Sequence, residues 1–548
     1  MYISFYKTHA TNKVVHKVIQ TKRRIMTVAL NSVYESIDEL IDFAQKSLNL
    51  DPLDANITKN RIFALFNLDS YKSSSLDKQK SIEEDEDYKA RSKEDSECAE
   101  GASNSSIDDI LNRFFQAAYN ANLLDPSEED TYSDTIMGLL SANPSKIQQL
   151  FEQTKKKEGS SAAQQWFYNY CVNNTYVKQA ALKKNIRFNS HNLIITINLA
   201  KPEFKNMSKA ASGNSVSGGY PKCTICRENE GFAGRNKRTL RTLSLNLGGK
   251  EWFWQFSPYG YFNQHGICVN SQHTPMVVNR NTFVNLLDFV DEFPHYFLGC
   301  NAALPRIGGS VLAHDHYQGG GEHMPMHHAP ALKTLHLENY KDTILEVLDW
   351  PGTAIRVVSK NRENIIEVCD YIRKAWVDYD NPKLNISSKD ENQNPQSALS
   401  PSVIKTARGY EMNLIFRNNA VSNEYPDGIF HAHPEYYAVK QEPIGLIEAQ
   451  GLFILPGRLV KQLDEIERAL EYGKDAKLPE DESEFKLVWD ELRETLQGNT
   501  DKNVIKNAIR EELASICERI LINTAVFKNK QDLIVFLNSL GFMQENEK

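Results

Sequence analysis

Gly308-Gly309-Ser310-Val311-Leu312-Ala313-His314-Asp315-His316-Tyr317-Gln318-Gly319-Gly320 is the stretch on which the reading of this chain turns. The residues between its glycines predict a strand over Gly309 to Gln318. Side chains two apart in a strand share a face, so His314, His316 and Gln318 are expected together, with Asp315 and Tyr317 opposite. Three aligned polar groups are costly to bury without partners, which points to a ligand or a metal. The bland alternative is a solvated edge strand with incidental histidines. The flanking glycines weigh against it, because they let backbone N–H groups come close to a phosphate.

A neutral imidazole near pH 7 is a nucleophile towards activated phosphorus and gives a phosphoramidate that a second nucleophile can cleave. A leaving phosphate oxygen needs little acid assistance, so positioning and charge stabilisation carry the reaction. Gln318 suits that task, since an amide hydrogen-bonds phosphoryl oxygens and is a poor base for activating water.

Working outward, Thr239–Leu247 and Glu251–Phe256 flank Gly248-Gly249 as a hairpin, and Asn192–Leu199, Gly266–Asn270 and Tyr296–Asn301 read as strands. Phe283, Leu286, Leu287, Val290 and Phe293 mark a helix. A second α+β block is expected from Trp350, with a strand at Tyr410–Phe416 and an amphipathic helix bearing Leu459, Leu463, Ile466 and Leu470. In the first third, Ser32-x-x-Glu35 reads as a capping box ahead of Val33, Ile37, Leu40, Ile41, Ala44 and Leu48. Further helices are predicted over Ile107–Leu124, Ile136–Phe151 and Trp166–Leu182. Asp69–Asp109 is too polar to offset its ordering entropy and is expected to be disordered; Ser208–Gly219 reads as flexible. The fold class is therefore α+β. Residues 1–25 read as a basic extension, and Met26, just ahead of a helix start, is the alternative initiator that the pattern offers. Residues 26–185 form a mainly helical region, 186–345 a catalytic half, and 346–548 a second half with a helical C-terminus. The two β-rich blocks read as diverged copies.

With 63 Lys+Arg against 71 Asp+Glu and a net charge of -8, nucleic acid is disfavoured as a partner. No apolar run is long enough to span a bilayer, and residues 1–25 lack the apolar core of a secretory signal. Of the eight cysteines, Cys223 and Cys226 are the close pair, so a disulfide framework is not expected and a reducing cytoplasm is. Cys223-x-x-Cys226 is also half of a zinc site by spacing, the alternative being two ordinary buried cysteines.

Asn301 to Gln318 resembles the active-site strand of the histidine-triad superfamily in its transferase branch, where glutamine replaces the third histidine. The acidic Asp315 between the two histidines resembles the class II galactose-1-phosphate uridylyltransferases. Tyr220–Arg235, Trp252–Phe262, Gln272–Met276, Phe416–Asn419, Pro426–His433 and Ile444–Gly451 are similar to class II blocks, in order. The resemblance covers residues 26–545 apart from the acidic insertion. It implies a histidine-triad-like antiparallel sheet with His316 as the nucleotidylated residue and Gln318 on the intermediate. The implied reaction converts UDP-glucose and galactose 1-phosphate to glucose 1-phosphate and UDP-galactose by a ping-pong route. It adds His273 and His314 to Cys223 and Cys226 as zinc ligands, with no organic cofactor. It also implies nucleotide contacts at Asn301, Gly309 and Ser310 and sugar contacts at Lys440 and Glu448, and is compatible with a homodimer. Arg235 and Arg241 are candidate phosphate ligands by their guanidinium geometry. His431 and His433, which align with a metal-binding pair of class I relatives, read as structural, and His323, His327 and His328 as a surface cluster. A dinucleoside tetraphosphate phosphorylase and a non-catalytic sugar-nucleotide binding protein are the rival readings.

Overall fold

The computed structural model describes residues 26–69, 106–199, 219–308 and 311–544, and within them the chain is α+β. Two compact units emerge, one of Met1–Phe151, Trp166–Tyr176 and Glu230–Arg241, the other of Glu152–Gln165, Val177–Asn229 and Thr242–Lys548. Among the described residues no helix is long and apolar enough to cross a membrane.

The first unit is helical. Residues 26–47 form one helix whose buried stripe is Val33, Ile37, Leu40, Ile41 and Ala44, the spacing read from the sequence. Its start differs from the expectation. Ser32 lies inside the helix, and its hydroxyl donates to the Val28 carbonyl at 3.2 Å, so Ser32-x-x-Glu35 is not a capping box. Ser106 and Asp109 form one instead, opening the helix Ile107–Asn120. Residues 106–109 of the stretch expected to be disordered are thus ordered; residues 70–105 lie outside the described ones, as do 208–218 of the flexible stretch. The helix read over Ile136–Phe151 is two, Glu129–Leu140 and Pro144–Glu158, because proline is tolerated at a helix start but not inside. Trp166–Leu182 likewise divides into Ser160–Asn173 and Gln179–Leu182.

In the second unit, β1 (Ile186–Ser190), β2 (Leu193–Asn198) and β13 (Leu452–Pro456) make a small sheet. The large one holds β3 (Leu243–Leu247), β4 (Lys250–Phe256), β5 (Gly266–Asn270), β6 (Phe297–Gly299), β7 (His316–Gly320), β8 (Ala331–Leu337), β9 (Ile344–Leu348), β10 (Ala354–Ser359), β11 (Ser397–Thr406), β12 (Gly409–Asn418) and β14 (Phe542–Met543). Its order is β14-β8-β9-β10-β12-β11-β6-β7-β5-β4-β3, with antiparallel neighbours. Gly248 and Gly249 join β3 to β4 with φ of +58° and +74°, the left-handed pair a two-residue hairpin needs.

The same path is traced twice. β3, β4 and β5 form a meander, the helix Arg280–Glu292 crosses over, and β6 then β7 complete the set in the order 3-4-5-7-6. β8, β9 and β10, the helix Arg362–Val377, and β11 then β12 repeat it as 8-9-10-12-11. The copies join where Gly299 of β6 faces Ser402 of β11. The second copy begins at β8, ahead of the Trp350 start read from the sequence and of the division at residue 345, which falls within β9.

Both crossover helices lie on one side of the sheet. Asn285 of the first donates to the Tyr317 hydroxyl at 2.9 Å, and Trp376 of the second packs edge-on against Phe416 at 5.1 Å. Strand alternation therefore leaves His316, Gln318, Glu411, Asn413 and Arg417 on the other side.

Candidate active site

β7 begins at His316; Val311–Asp315 turns into it, and Gly309 and Ser310 lie outside the described residues. His316 and Gln318 share a face, whereas His314 does not belong to their file. Long-range contacts bend the lead-in: Asp315 N–H donates to Thr274 O at 2.7 Å and Met276 N–H to Leu312 O at 2.9 Å. The His314 ring follows, donating from Nε2 to Asn270 O at 2.8 Å.

That bond leaves Nδ1 of His314 as an acceptor, 3.2 Å from Cys223 Sγ and 3.7 Å from Cys226 Sγ. His273 Nδ1 lies 3.2 Å from Cys226 Sγ. The sulfurs are 3.3 Å apart, well beyond a disulfide's ~2.05 Å. One ligand atom from each of the four residues lies within 4.8 Å of the others, so the four expected ligands form a cluster that could hold a metal ion. Two thiolates and two imidazoles are a donor set that tetrahedral zinc accepts. Burial pushes the Cys226 thiol up to about 12 and the His314 imidazole down to about 4, which keeps the imidazole a lone-pair donor.

His316 is buried, and its Nδ1 lies 2.8 Å from the His314 carbonyl. A carbonyl only accepts, so the proton sits on Nδ1 and the lone pair on Nε2. Among the described residues Nε2 has no partner, and burial lowers the imidazole's pKa, favouring the neutral form. On the opposite face, Tyr317 stacks on Trp252 at 4.7 Å, and burial raises the Asp315 carboxyl to about 6.

A turn covers the sheet beside this strand. Asn301 accepts the Leu446 N–H at 2.8 Å through its side-chain oxygen, and Arg417 donates to Ile444 O at 3.0 Å. Between them, Gly308 at φ +37° meets Gly445 so closely that a Cβ on Gly308 would lie 2.3 Å from the Gly445 Cα.

The chain is similar over most of its length to galactose-1-phosphate uridylyltransferases. A galactose-1-phosphate uridylyltransferase of Bifidobacterium longum subsp. longum is 61% identical, covering 94% of this chain and 99% of that protein. Those of Lactobacillus helveticus and Lactococcus lactis subsp. lactis are 36% and 33% identical, covering 74% and 91% of this chain and 84% and 97% of theirs. The family model described as galactose-1-phosphate uridyl transferase, N-terminal domain, matches residues 49–275, which include Cys223, Cys226 and His273. The chain belongs to the galactose-1-phosphate uridylyltransferase family. It is accordingly an enzyme, a nucleotidyltransferase of galactose metabolism. The solved structure of yeast Ap4A phosphorylase Apa2 aligns at a TM-score of 0.26 and 12% identity over 51% of this chain and 80% of that one, too low a likeness to inform the fold.

Three expected contacts are placed otherwise. Arg241 is buried in the helical unit, where its guanidinium donates to the carbonyls of Ala142, Arg238, Leu240 and Ser141, so its donors are engaged by backbone rather than phosphate. Lys440 and Glu448 are buried and paired at 2.7 Å; Lys440 also reaches Glu442 at 2.9 Å, and Glu448 accepts the Gly445 N–H at 3.2 Å. They brace the 444–449 turn. Burial alone depresses the lysine, but the two carboxylates override it and raise its pKa. Arg235, half-buried, ends the short helix Ala233–Arg235. His433 Nε2 lies 3.1 Å from the Ile429 carbonyl, a structural bond. His327 is buried rather than on a surface.

Reading from the sequence passed over Asn270, whose carbonyl turns His314, and Arg417, fully buried with its pKa pushed down to about 10 by burial. Asn270 acts through its backbone and carries no local signal. Arg417 does carry one, a charge directly after the apolar run Leu414-Ile415-Phe416.

Proposed function

We propose that the enzyme transfers UMP from UDP-glucose to galactose 1-phosphate through uridylyl-His316. The observation that carries this is the 2.8 Å bond that commits Nδ1–H of His316 to the His314 carbonyl and leaves Nε2 as the only lone pair. Nε2 attacks the α-phosphorus; the bond to the bridging oxygen breaks, and its electrons leave with glucose 1-phosphate. The His314 carbonyl faces the positive charge that the substituted ring acquires. A phosphate oxygen of galactose 1-phosphate then attacks phosphorus, and Nε2 departs with its electron pair, restoring the neutral ring. No net proton transfer is required. Gln318, on the same face, donates its amide to the phosphoryl oxygens without activating water.

Zinc on Cys223, Cys226, His273 and His314 would supply a structural cross-link. The chain's own contribution is then to fix the His314 ring through Asn270, and with it the carbonyl that orients His316. We place the enzyme in the cytoplasm and expect a homodimer, neither of which the chemistry requires. Incubation with UDP-glucose labelled in its α-phosphate, followed by alkaline denaturation, is expected to leave acid-labile label on His316. No label at stoichiometric enzyme would overturn the proposal.

A further inference from the structure

We infer that Leu446 is a seal that keeps water away from the uridylyl-enzyme, so that transfer to a sugar phosphate outruns hydrolysis. This rests on the covalent route proposed above and adds to it a residue that touches no reacting atom.

The route has a weak point between its half-reactions. A phosphorus bonded to a ring nitrogen waits there for its acceptor, and closing the site against water is what protects such an intermediate. Water in place of galactose 1-phosphate would bond through its oxygen to phosphorus; the bond to Nε2 would break with its electrons returning to the ring, and one proton would pass to solvent, leaving UMP. Gln318 withholds a base from that attack but does not remove the water.

The sheet itself leaves room for water beside Gln318. Gln318 of β7 faces Gly299 of β6, and Gly299 faces Ser402 of β11, so the strand position next to the catalytic amide has no side chain. Packing is the reason: a Cβ at Gly299 would lie 2.6 Å from Leu446 Cδ2 and 2.8 Å from Ser402 Cβ. Leu446 therefore comes from outside the sheet and takes the place that a side chain at 299 would fill, and it is 1% exposed. Its backbone is fixed on both sides. The Leu446 N–H donates to Asn301 Oδ1 at 2.8 Å, Arg417 donates to Ile444 O at 3.0 Å, and the Trp350 indole donates to Ala449 O at 3.0 Å.

The duplicated sheet supplies an internal comparison. Gly299 and Ser402 are counterparts, each beside the amide of its own copy, Gln318 and Asn413. In the second copy, whose strand β12 carries no histidine, that position holds a hydroxyl, which donates to Gln450 Oε1 at 2.8 Å. In the copy that carries the nucleophile it holds a leucine methyl group instead.

A void opened at Leu446 would be wet. An apolar cavity stays dry, but water occupies one that offers ~30 Å³ of liquid volume and roughly two to four polar partners. Truncating the isobutyl group to methyl gives the room, and Gln318, Ser402 and Asn301 around it give the partners.

Uridylyl-enzyme made in the full chain from UDP-glucose labelled in its α-phosphate, freed of nucleotide and sugar and held without acceptor, tests this. Leu446→Ala is expected to lose its label to UMP about tenfold or more faster than the parent, Leu446→Val by an intermediate factor, and Leu446→Met at the parent's rate. At a fixed galactose 1-phosphate concentration the ratio of UMP to UDP-galactose should rise in the same order. Ile447→Ala is the control. Ile447, next in the turn, belongs to a different apolar cluster with Phe297, Ile404, Leu452 and Ile454, so its loss should lower the melting temperature and leave hydrolysis at the parent's rate. Equal hydrolysis in Leu446→Ala and the parent, or an equal rise in Ile447→Ala, would overturn the inference. If Leu446→Ala does not fold, Leu446→Val decides. A parent that takes no label on His316 refutes the covalent route instead; entry of isotopically labelled water into UMP from UDP-glucose, with acceptor absent, then judges the seal by the same comparison of variants.

Discussion

The two copies of the sheet motif place different chemistry at one position. The facing pair Gly299 and Ser402 relates Gln318 to Asn413, and two residues along it relates His316 to Glu411. In the first copy, among the described residues, only Nδ1–H of the side chain is engaged and Nε2 keeps its lone pair. In the second, Glu411 is consumed by its surroundings: Arg356 lies 3.4 Å away and the Thr406 hydroxyl donates at 2.6 Å. One scaffold thus supports a reactive group or a structural ion pair. What decides is whether neighbours leave a lone pair unsatisfied.

The sharpest way to break this contrast is His316→Ala, which should reduce sugar exchange by about 10⁴-fold or more while the unfolding midpoint changes little. Exchange at the parent rate would sink the contrast outright. Cys223→Ser acts on the support of the first copy and should lower activity about 10- to 100-fold, with zinc content falling in parallel by elemental analysis. Zinc unchanged from the parent would reject the cluster as its site. In the second copy the same kind of change should fall on stability. Glu411→Gln leaves Arg356 one carboxylate short and should cost about 2 to 4 kcal/mol in denaturant titration, with labelling of His316 altered by less than about threefold. His431 gives the smallest effect. Its folded-state pKa, lowered by burial to about 3, lies below the ordinary 6.5, so the unfolded chain takes up the proton first as pH falls. Stability is then lost progressively from about pH 6.5 downward, by about 2 kcal/mol at pH 5, and His431→Gln should flatten that part of the acid limb.

Much of this arrangement was legible in the chain itself. The hairpin around Gly248-Gly249 and the helical stripe from Val33 to Ala44 depend on local spacing, which any reader of the sequence has. The four residues of the Cys/His cluster came from spacing together with family resemblance. The turn at His314 could not be read, since Val311 to Gln318 has uniform strand character and bends only because Asn270 and Thr274 hold it from elsewhere. Arg241 was misplaced for a related reason: whether a guanidinium meets phosphate or backbone carbonyls depends on what the fold brings to it. The repeat was too faint in sequence, because His316 and Glu411 share a position in the sheet and no chemistry; strand order reveals it.

Gly308 and Gly445 touch backbone to backbone, with 2.3 Å left for any added carbon. Screens that vary only groups able to react would overlook them. A one-carbon change at Gly308 should still abolish turnover in living cells, giving a loss-of-function allele in which every reacting atom is intact.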